Sequence, residues 1–136
     1  MGEGADTMII GVGTDIVGLE RIGKMIEGAN GEAFLRRVLT EAERRLLEER
    51  QRGRARTIEF VAGRWAAKEA VSKALGCGIG GRLGFRDVEV LPDASGKPGC
   101  VVSEQAWARL GRRARVHLSI SHADGWATAF AVAEAE

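Results

Sequence analysis

Val116-His117-Leu118-Ser119-Ile120-Ser121-His122-Ala123-Asp124-Gly125-Trp126 carries the reading that decides the fold. Val116, Leu118 and Ile120 alternate with His117, Ser119 and Ser121, the period of two that marks a strand with one buried face. Asp124-Gly125 is a two-residue hairpin signal, and Trp126 to Val132 returns as the partner strand. Working upstream, Ser103 caps a helix carrying Ala106, Trp107 and Leu110. Arg86 to Leu91, with Val88 and Val90 alternating against charges, pairs with Gly99 to Val102 across the turn Pro92 to Pro98. A long helix from about Ile58 to Leu75 buries Val61, Ala67, Val71 and Leu75. Thr57 caps it, and Gly76 ends it in the left-handed conformation that glycine adopts freely. Gln51 to Arg56 reads as a polar linker. Thr40 and Glu43 form a capping box that starts a charged helix to about Arg50. Phe34, Leu35, Val38 and Leu39 suggest a short helix. Ile16, Leu19, Ile22 and Ile26 recur at helical spacing until Gly28-Ala29-Asn30-Gly31 breaks the pattern. Met8 to Gly13 is a buried strand, with Asp15 just beyond its exit. The outline is a strand, four helices, a hairpin, a helix and a hairpin. That is an α+β fold, a small antiparallel sheet packed on helices, not a βαβ repetition.

The chain of 136 residues fits one domain over 1–136, at the usual ~100–200 residues per domain. Apolar residues make up 45% and charged residues 29%, the balance of an ordinary globular domain. Lys plus Arg is 20 against 19 for Asp plus Glu, so no global field draws the chain to nucleic acid or a membrane. Cys77 and Cys100 cannot build a disulfide framework or a metal set. Apolar runs are far shorter than the ~20 residues of a membrane span. Met1 to Thr7 has no signal-peptide pattern and reads as a flexible N-terminal extension. A cytoplasmic location is expected.

Two carboxylates stand out by position. Asp15 lies at a strand exit, and Glu69 lies in the long helix among small residues, with Lys73 four residues on and on the same face. Two carboxylates beside a lysine suit Mg²⁺ and a phosphate-bearing substrate. On residue types alone, a helix cap at Asp15 and a surface pair between Glu69 and Lys73 are the commoner arrangement. Gly76, Gly78 and Gly81 spell G-x-G-x-x-G, but after a helix rather than a strand, and without a P-loop ending. The loop is thus either a helix stop or a surface bare enough for a nucleotide to approach. His122 sits at a hairpin mouth, where a turn hydrogen bond is the common role. No nucleophile elbow surrounds Ser119 or Ser121. Arg36 to Arg56 holds eight arginines and four glutamates, an excess of four positive charges. Without interleaved aromatics this suits a solvated face or an acidic partner, not single-stranded nucleic acid.

Four blocks in order resemble bacterial holo-acyl-carrier-protein synthases, the short type of 4′-phosphopantetheinyl transferase. They are Gly11 to Ile16 leading to Glu20-Arg21-Ile22; Phe34 to Arg37 with Leu39-Thr40 and Glu43; Phe60 to Ala70 with Ser72-Lys73-Ala74 and Gly78-Ile79-Gly80; and Gly96-Lys97-Pro98 with Leu118 to His122. The resemblance implies that fold and transfer of 4′-phosphopantetheine from coenzyme A to a serine of apo-acyl carrier protein, releasing adenosine 3′,5′-bisphosphate. It implies Asp15 and Glu69 as Mg²⁺ ligands and Lys73 on the phosphates. The Gly76–Gly80 loop, with Gly76, Gly78 and Gly80, would lie along the coenzyme. Arg64, Lys97, Pro98 and His122 would stand near the nucleotide. Active sites would lie between the subunits of a trimer, so that Lys97 and His122 could serve a neighbour. The serine's proton would pass to Glu69 or to solvent on the metal. Arg21, Lys24, Arg36 and Arg37 would face the acidic carrier. Glu27 and Glu32 depart from the family's basic pattern there.

Two other readings have different signatures. A nucleotide-binding module without catalysis would use only the glycine loop and Lys73, and would leave no reason for Asp15 and Glu69 to converge. A non-enzymatic module for an acidic partner would need neither metal nor coenzyme A.

Overall fold

β1 (Ile9–Gly18) and β5 (Trp126–Ala135) pair antiparallel, with Gly13 opposite Ala131, Asp15 opposite Ala129 and Gly18 opposite Trp126. The computed structural model describes residues 8–50 and 53–136. Residues 1–7, expected as an extension, lie outside them. The pairing with β5 carries β1 beyond Gly13, so Asp15 stands within the strand rather than past its exit, and it caps no helix. Ile16 faces out from the same strand instead of joining the first helix. β4 (Ala114–Ala123) completes the sheet in the order β1-β5-β4. The β4–β5 turn is Asp124-Gly125, with φ of 52° and 83°. Both residues are left-handed, the turn that follows the twist of the strands it joins.

Four helices separate β1 from the next strand, one for each helical segment read from the sequence: α1 (Leu19–Glu27), α2 (Gly31–Val38), α3 (Glu41–Arg50) and α4 (Arg54–Ala74). α1 opens with the Leu19 N–H donating to the Gly125 carbonyl at 2.9 Å, which ties it to the β4–β5 turn. α4 begins at Arg54, ahead of Thr57, so Arg54–Arg56 are helical and not linker; Gln51 and Arg52 lie outside the described residues. Arg54 there ion-pairs with Glu27 of α1. The second hairpin, β2 (Val88–Pro92) and β3 (Pro98–Val102), is followed by α5 (Glu104–Leu110), capped by Ser103 as predicted, its hydroxyl accepting from the Ala106 N–H. Asp87, in the short 3₁₀ turn before β2, accepts from Gly84 N–H, the Ser103 hydroxyl and Arg109.

The core is a seam of small residues. Ala127, Ala129, Ala131 and Ala133 of β5 are buried, as are Ala62, Ala66, Ala67 and Ala70 of α4, which packs across β1, β5 and β4. β1 meets α4 through glycine. A Cβ on Gly11 would stand 1.9 Å from the Ala74 carbonyl oxygen. Without side chains between them, the backbones come much closer than a layer of branched residues allows.

On the other flank of α4, Lys68 and Glu43 are both fully buried with Nζ and Oε1 2.6 Å apart. Lys68 also donates to the Val38 carbonyl, and Glu43 accepts from the N–H groups of Thr40 and Val90. The capping box is present as predicted, since the Glu43 N–H donates to Thr40 Oγ1 at 3.2 Å. Its glutamate does more than cap. Together with Lys68 it joins α2, α3, α4 and β2.

The outward face of the three-stranded sheet is uncovered. Val12, Ile16 and Phe130 are 57%, 59% and 46% exposed, among Thr14, Thr128, Ser119 and Ser121. Contiguous exposed apolar residues of this size mark an interaction face.

Candidate active site

The alternation of β1 turns Gly11, Gly13 and Asp15 toward α4. Asp15 follows the two glycines on that face, next to the narrow part of the seam. Lys73 Nζ lies 3.2 Å from Asp15 Oδ1 and donates to the Thr14 carbonyl at 2.9 Å. Glu69, one turn earlier on α4, is half-buried. Burial and the neighbouring charge of Asp15 push its carboxyl above the ordinary range, while Lys73 and Arg21 pull it back. The structure thus brings Asp15, Glu69 and Lys73 together, as the sequence predicted. It adds Arg21, whose guanidinium lies 5.4 Å from the centre of the Trp65 ring. Trp65 is itself packed between Phe34 and Phe85, with ring centres at 5.8 and 4.8 Å.

A second cluster occupies the other side of α4. Arg64 lies 4.0 Å from the Phe60 ring centre and donates to the Val90 carbonyl. Burial lowers its guanidinium to about 10, with Glu43 opposing the shift. His122 Nε2 sits 2.9 Å from the Glu59 carbonyl oxygen. A Cβ on Gly63 would stand 3.2 Å from that nitrogen, so the glycine lets the histidine cross the helix. Arg50, Arg56, Phe60, Arg64, His122 and Pro98 line two adjoining hollows here. Lys97 is exposed on the turn between two lining residues, Gly96 and Pro98.

These clusters are not one site within a chain. At about 100° per residue, Glu69 and Lys73 lie about 140° and 180° around α4 from Arg64.

The glycine loop differs from a phosphate cradle. The N–H groups of Cys77 and Gly78 both donate to the Ser72 carbonyl, that of Gly76 to Lys73, and that of Gly80 to Leu83. Gly76 and Gly78 have φ of 76° and 69°, so Gly76 does end the helix as predicted. Nothing stands within 4 Å of a Cβ built on Gly76, Gly78, Gly80 or Gly81. The loop offers an unobstructed surface, with the amides of Gly76, Cys77, Gly78 and Gly80 engaged by the chain. Of the basic residues expected to face a partner, Arg21, Lys24, Arg36 and Arg37 are all exposed. The departing acids Glu27 and Glu32 pair with Arg54 and Arg44.

Residues 11–131 match the 4′-phosphopantetheinyl transferase superfamily. The chain belongs to that family. A holo-[acyl-carrier-protein] synthase of Geobacillus sp. (strain WCH70) is 45% identical over 127 residues, which cover 93% of this chain and 98% of the relative. Among solved structures, a holo-(acyl-carrier-protein) synthase from Bacillus anthracis str. Ames in complex with CoA (3′,5′-ADP) is 45% identical, with a TM-score of 0.80 over 95% of this chain and 99% of that one. The holo-[acyl-carrier-protein] synthase from Neisseria meningitidis is 37% identical with a TM-score of 0.81, over 93% and 98%. The expected fold is thereby established.

Within this family frame, sequence reading missed Arg50, Arg56 and Phe60 as lining residues. For the two arginines the signal was the excess from Arg36 to Arg56, which gave charge but no direction, and Phe60 opened a matching block without a role attached to it. It also missed Lys68, whose partner lies 25 residues away.

Proposed function

We propose that this chain is a holo-acyl-carrier-protein synthase, transferring 4′-phosphopantetheine from coenzyme A to a serine of apo-acyl carrier protein and releasing adenosine 3′,5′-bisphosphate. The observation that carries the reading is the convergence of Asp15, Glu69 and Lys73 where β1 and α4 meet through glycine. A nucleotide-binding module without catalysis gives no reason for that convergence.

The residues fit Mg²⁺. Among the described residues no group of three or more His, Cys, Asp or Glu side chains gathers, so a fully protein-ligated zinc site is not supported. Two carboxylates beside an open surface suit a hard cation that keeps waters and takes substrate oxygens. Asp15 and Glu69 would hold it. When bound, the metal neutralises charge on pyrophosphate oxygens. Lys73 would add a mobile positive charge on the same phosphates, and Glu69 would accept the serine proton. The Gly76–Gly80 loop would let the coenzyme lie against the backbone. Arg64, Lys97, Pro98 and His122, with Arg50, Arg56 and Phe60, would hold the nucleotide.

The half-turn between the two clusters on α4 supports an assembly in which one copy supplies the carboxylates and another the nucleotide cleft. The uncovered sheet face, with Ile16 and Phe130, is the surface for a homotrimer of this kind. The chain would work as one domain over its whole length. Arg21, Lys24, Arg36 and Arg37 would receive the acidic carrier. No described helix is long and apolar enough to cross a membrane, and a cytoplasmic location is proposed.

Incubation with coenzyme A, Mg²⁺ and apo-acyl carrier protein, followed by intact mass measurement of the carrier, tests the reading. A phosphopantetheine-sized gain that EDTA abolishes is expected. No gain with several apo carriers would overturn it.

A further inference from the structure

Lys73 is seated on one of the two carboxylates proposed to hold the metal. Its ammonium donates to Asp15 Oδ1 at 3.2 Å and to the Thr14 carbonyl at 2.9 Å, so Asp15 is engaged from within the chain. The charges around it balance. Asp15 and Glu69 contribute two negative charges, and Lys73 and Arg21, both felt by Glu69, contribute two positive ones. A dication approaching this cluster meets a neutral group and must share or displace an ammonium at Asp15. Its attraction to the carboxylates is largely offset by the cations already there. A diphosphate changes both conditions. It adds at least two negative charges, and its oxygens accept from an ammonium at least as well as a carboxylate and a carbonyl do. The Lys73 side chain is 51% exposed against 17% for Asp15, and its four-carbon stem lets the charge swing outward while Asp15 stays in place.

We propose that Lys73 is the internal counter-cation of Asp15 and makes metal binding conditional on a diphosphate ligand. The ammonium guards the carboxylate until the phosphates of coenzyme A draw it off. Metal and coenzyme then bind with positive coupling, and by linkage each raises the other's affinity by the same factor. The proposal rests on the assignment of Asp15 and Glu69 as the metal pair. It goes beyond that assignment by giving Lys73 a role before the phosphates arrive.

The test is binding, without carrier and without turnover. Mn²⁺ is titrated into the full-length protein and followed by the electron paramagnetic resonance of the free ion, with and without coenzyme A. For the wild type, weak binding of Mn²⁺ alone and at least tenfold tighter binding with coenzyme A are expected. Lys73→Gln should bind Mn²⁺ alone roughly five- to tenfold more tightly than wild type, and coenzyme A should enhance it by correspondingly less. Lys73→Arg, which keeps the charge, should not gain affinity. Unchanged or weaker binding of Mn²⁺ alone by Lys73→Gln would overturn the proposal. Asp15→Asn separates the two levels. If it abolishes Mn²⁺ binding with coenzyme A present while Lys73→Gln shows no gain, only the counter-cation role fails. If Asp15→Asn binds Mn²⁺ as wild type does, the metal-pair assignment fails and the counter-cation role with it.

Discussion

Gly13 approaches α4 so closely that a Cβ on it would stand 2.0 Å from the carbonyl oxygen of Ala70. The next atoms in line are the Ala74 nitrogen at 2.7 Å and the Lys73 Cβ at 2.9 Å, so no flexible side-chain end can yield. Gly13 is extended rather than left-handed. It is required for the room it leaves, not for its backbone angles. Two residues along β1 stands Asp15, and one residue before Ala70 on α4 stands Glu69, so the spacing of the seam is also the spacing of the carboxylates.

Gly13→Ala should therefore separate β1 from α4. Overpacking of this kind costs about 1–3 kcal/mol and sometimes more. Urea unfolding should show the lost stability. Transferase activity, measured where the variant is still folded, should fall further than the folded fraction does. A variant of normal activity would show that the helix–strand spacing does not set the site.

Glu69→Gln removes a charge and a proton acceptor while keeping the shape. Turnover should drop by at least two orders of magnitude, with the melting temperature little changed. If turnover is unchanged while Mn²⁺ affinity is retained, Glu69 is not the base.

The sheet face predicts an assembly defect. Phe130→Glu places a charge amid Val12, Ile16 and Thr14, and should shift the particle mass in light scattering toward the single chain. Activity should fall with it, because the carboxylates and the proposed nucleotide cleft of one chain lie on different sides of α4. A monomeric variant of full activity would place both halves of the site in one chain.

The buried pair gives a stability test. Lys68→Met leaves Glu43 buried with its charge uncompensated, a loss of about 3–5 kcal/mol. Lys68→Met combined with Glu43→Gln should recover part of that loss, since Gln can still accept from Val90 N–H without a charge to satisfy. Denaturant melts of the single and double variants measure the difference.

This network also shows what was legible in the sequence. The Thr40–Glu43 box was readable because its two residues are three apart and every bond in it is local. Lys68 was not readable as the partner of Glu43, because only the fold puts α3 and α4 side by side. Asp15, Glu69 and Lys73 were singled out from position and resemblance, and the structure brings them together. The reason they meet was misread. Gly11 and Gly13 looked like the end of a strand, whereas long-range pairing with β5 continues the strand to Gly18 and makes both glycines points of contact. Arg54 to Arg56 looked like linker because polar residues at a helix start carry no periodicity, and the Glu27 partner of Arg54 sits on another helix.

Asp87 supplies a pH dependence. Although burial pushes its carboxyl up, hydrogen bonds from Gly84 N–H, the Ser103 hydroxyl and Arg109 hold it below the ordinary carboxylate range. A carboxyl depressed in the folded state stabilises above the unfolded pKa, near 3.8, and that contribution fades as pH falls through the lower folded value. The wild type should exceed Asp87→Asn in unfolding free energy by about 1–2 kcal/mol from neutral pH down to 5. The gap should narrow steadily below about pH 4. A gap independent of pH would show that charge at Asp87 contributes nothing.

The bond from Leu19 N–H to the Gly125 carbonyl means that a single two-residue turn is the hinge pin for two different surfaces. On one side it fixes where α1, with Arg21 and Lys24, leaves the sheet. On the other it ends the strand that delivers His122 to the proposed nucleotide cleft. Stiffness at Asp124-Gly125 is thus a shared property: loosening the turn would blur the placement of both at once, so in the proposed function carrier and coenzyme would be registered against the same few backbone atoms.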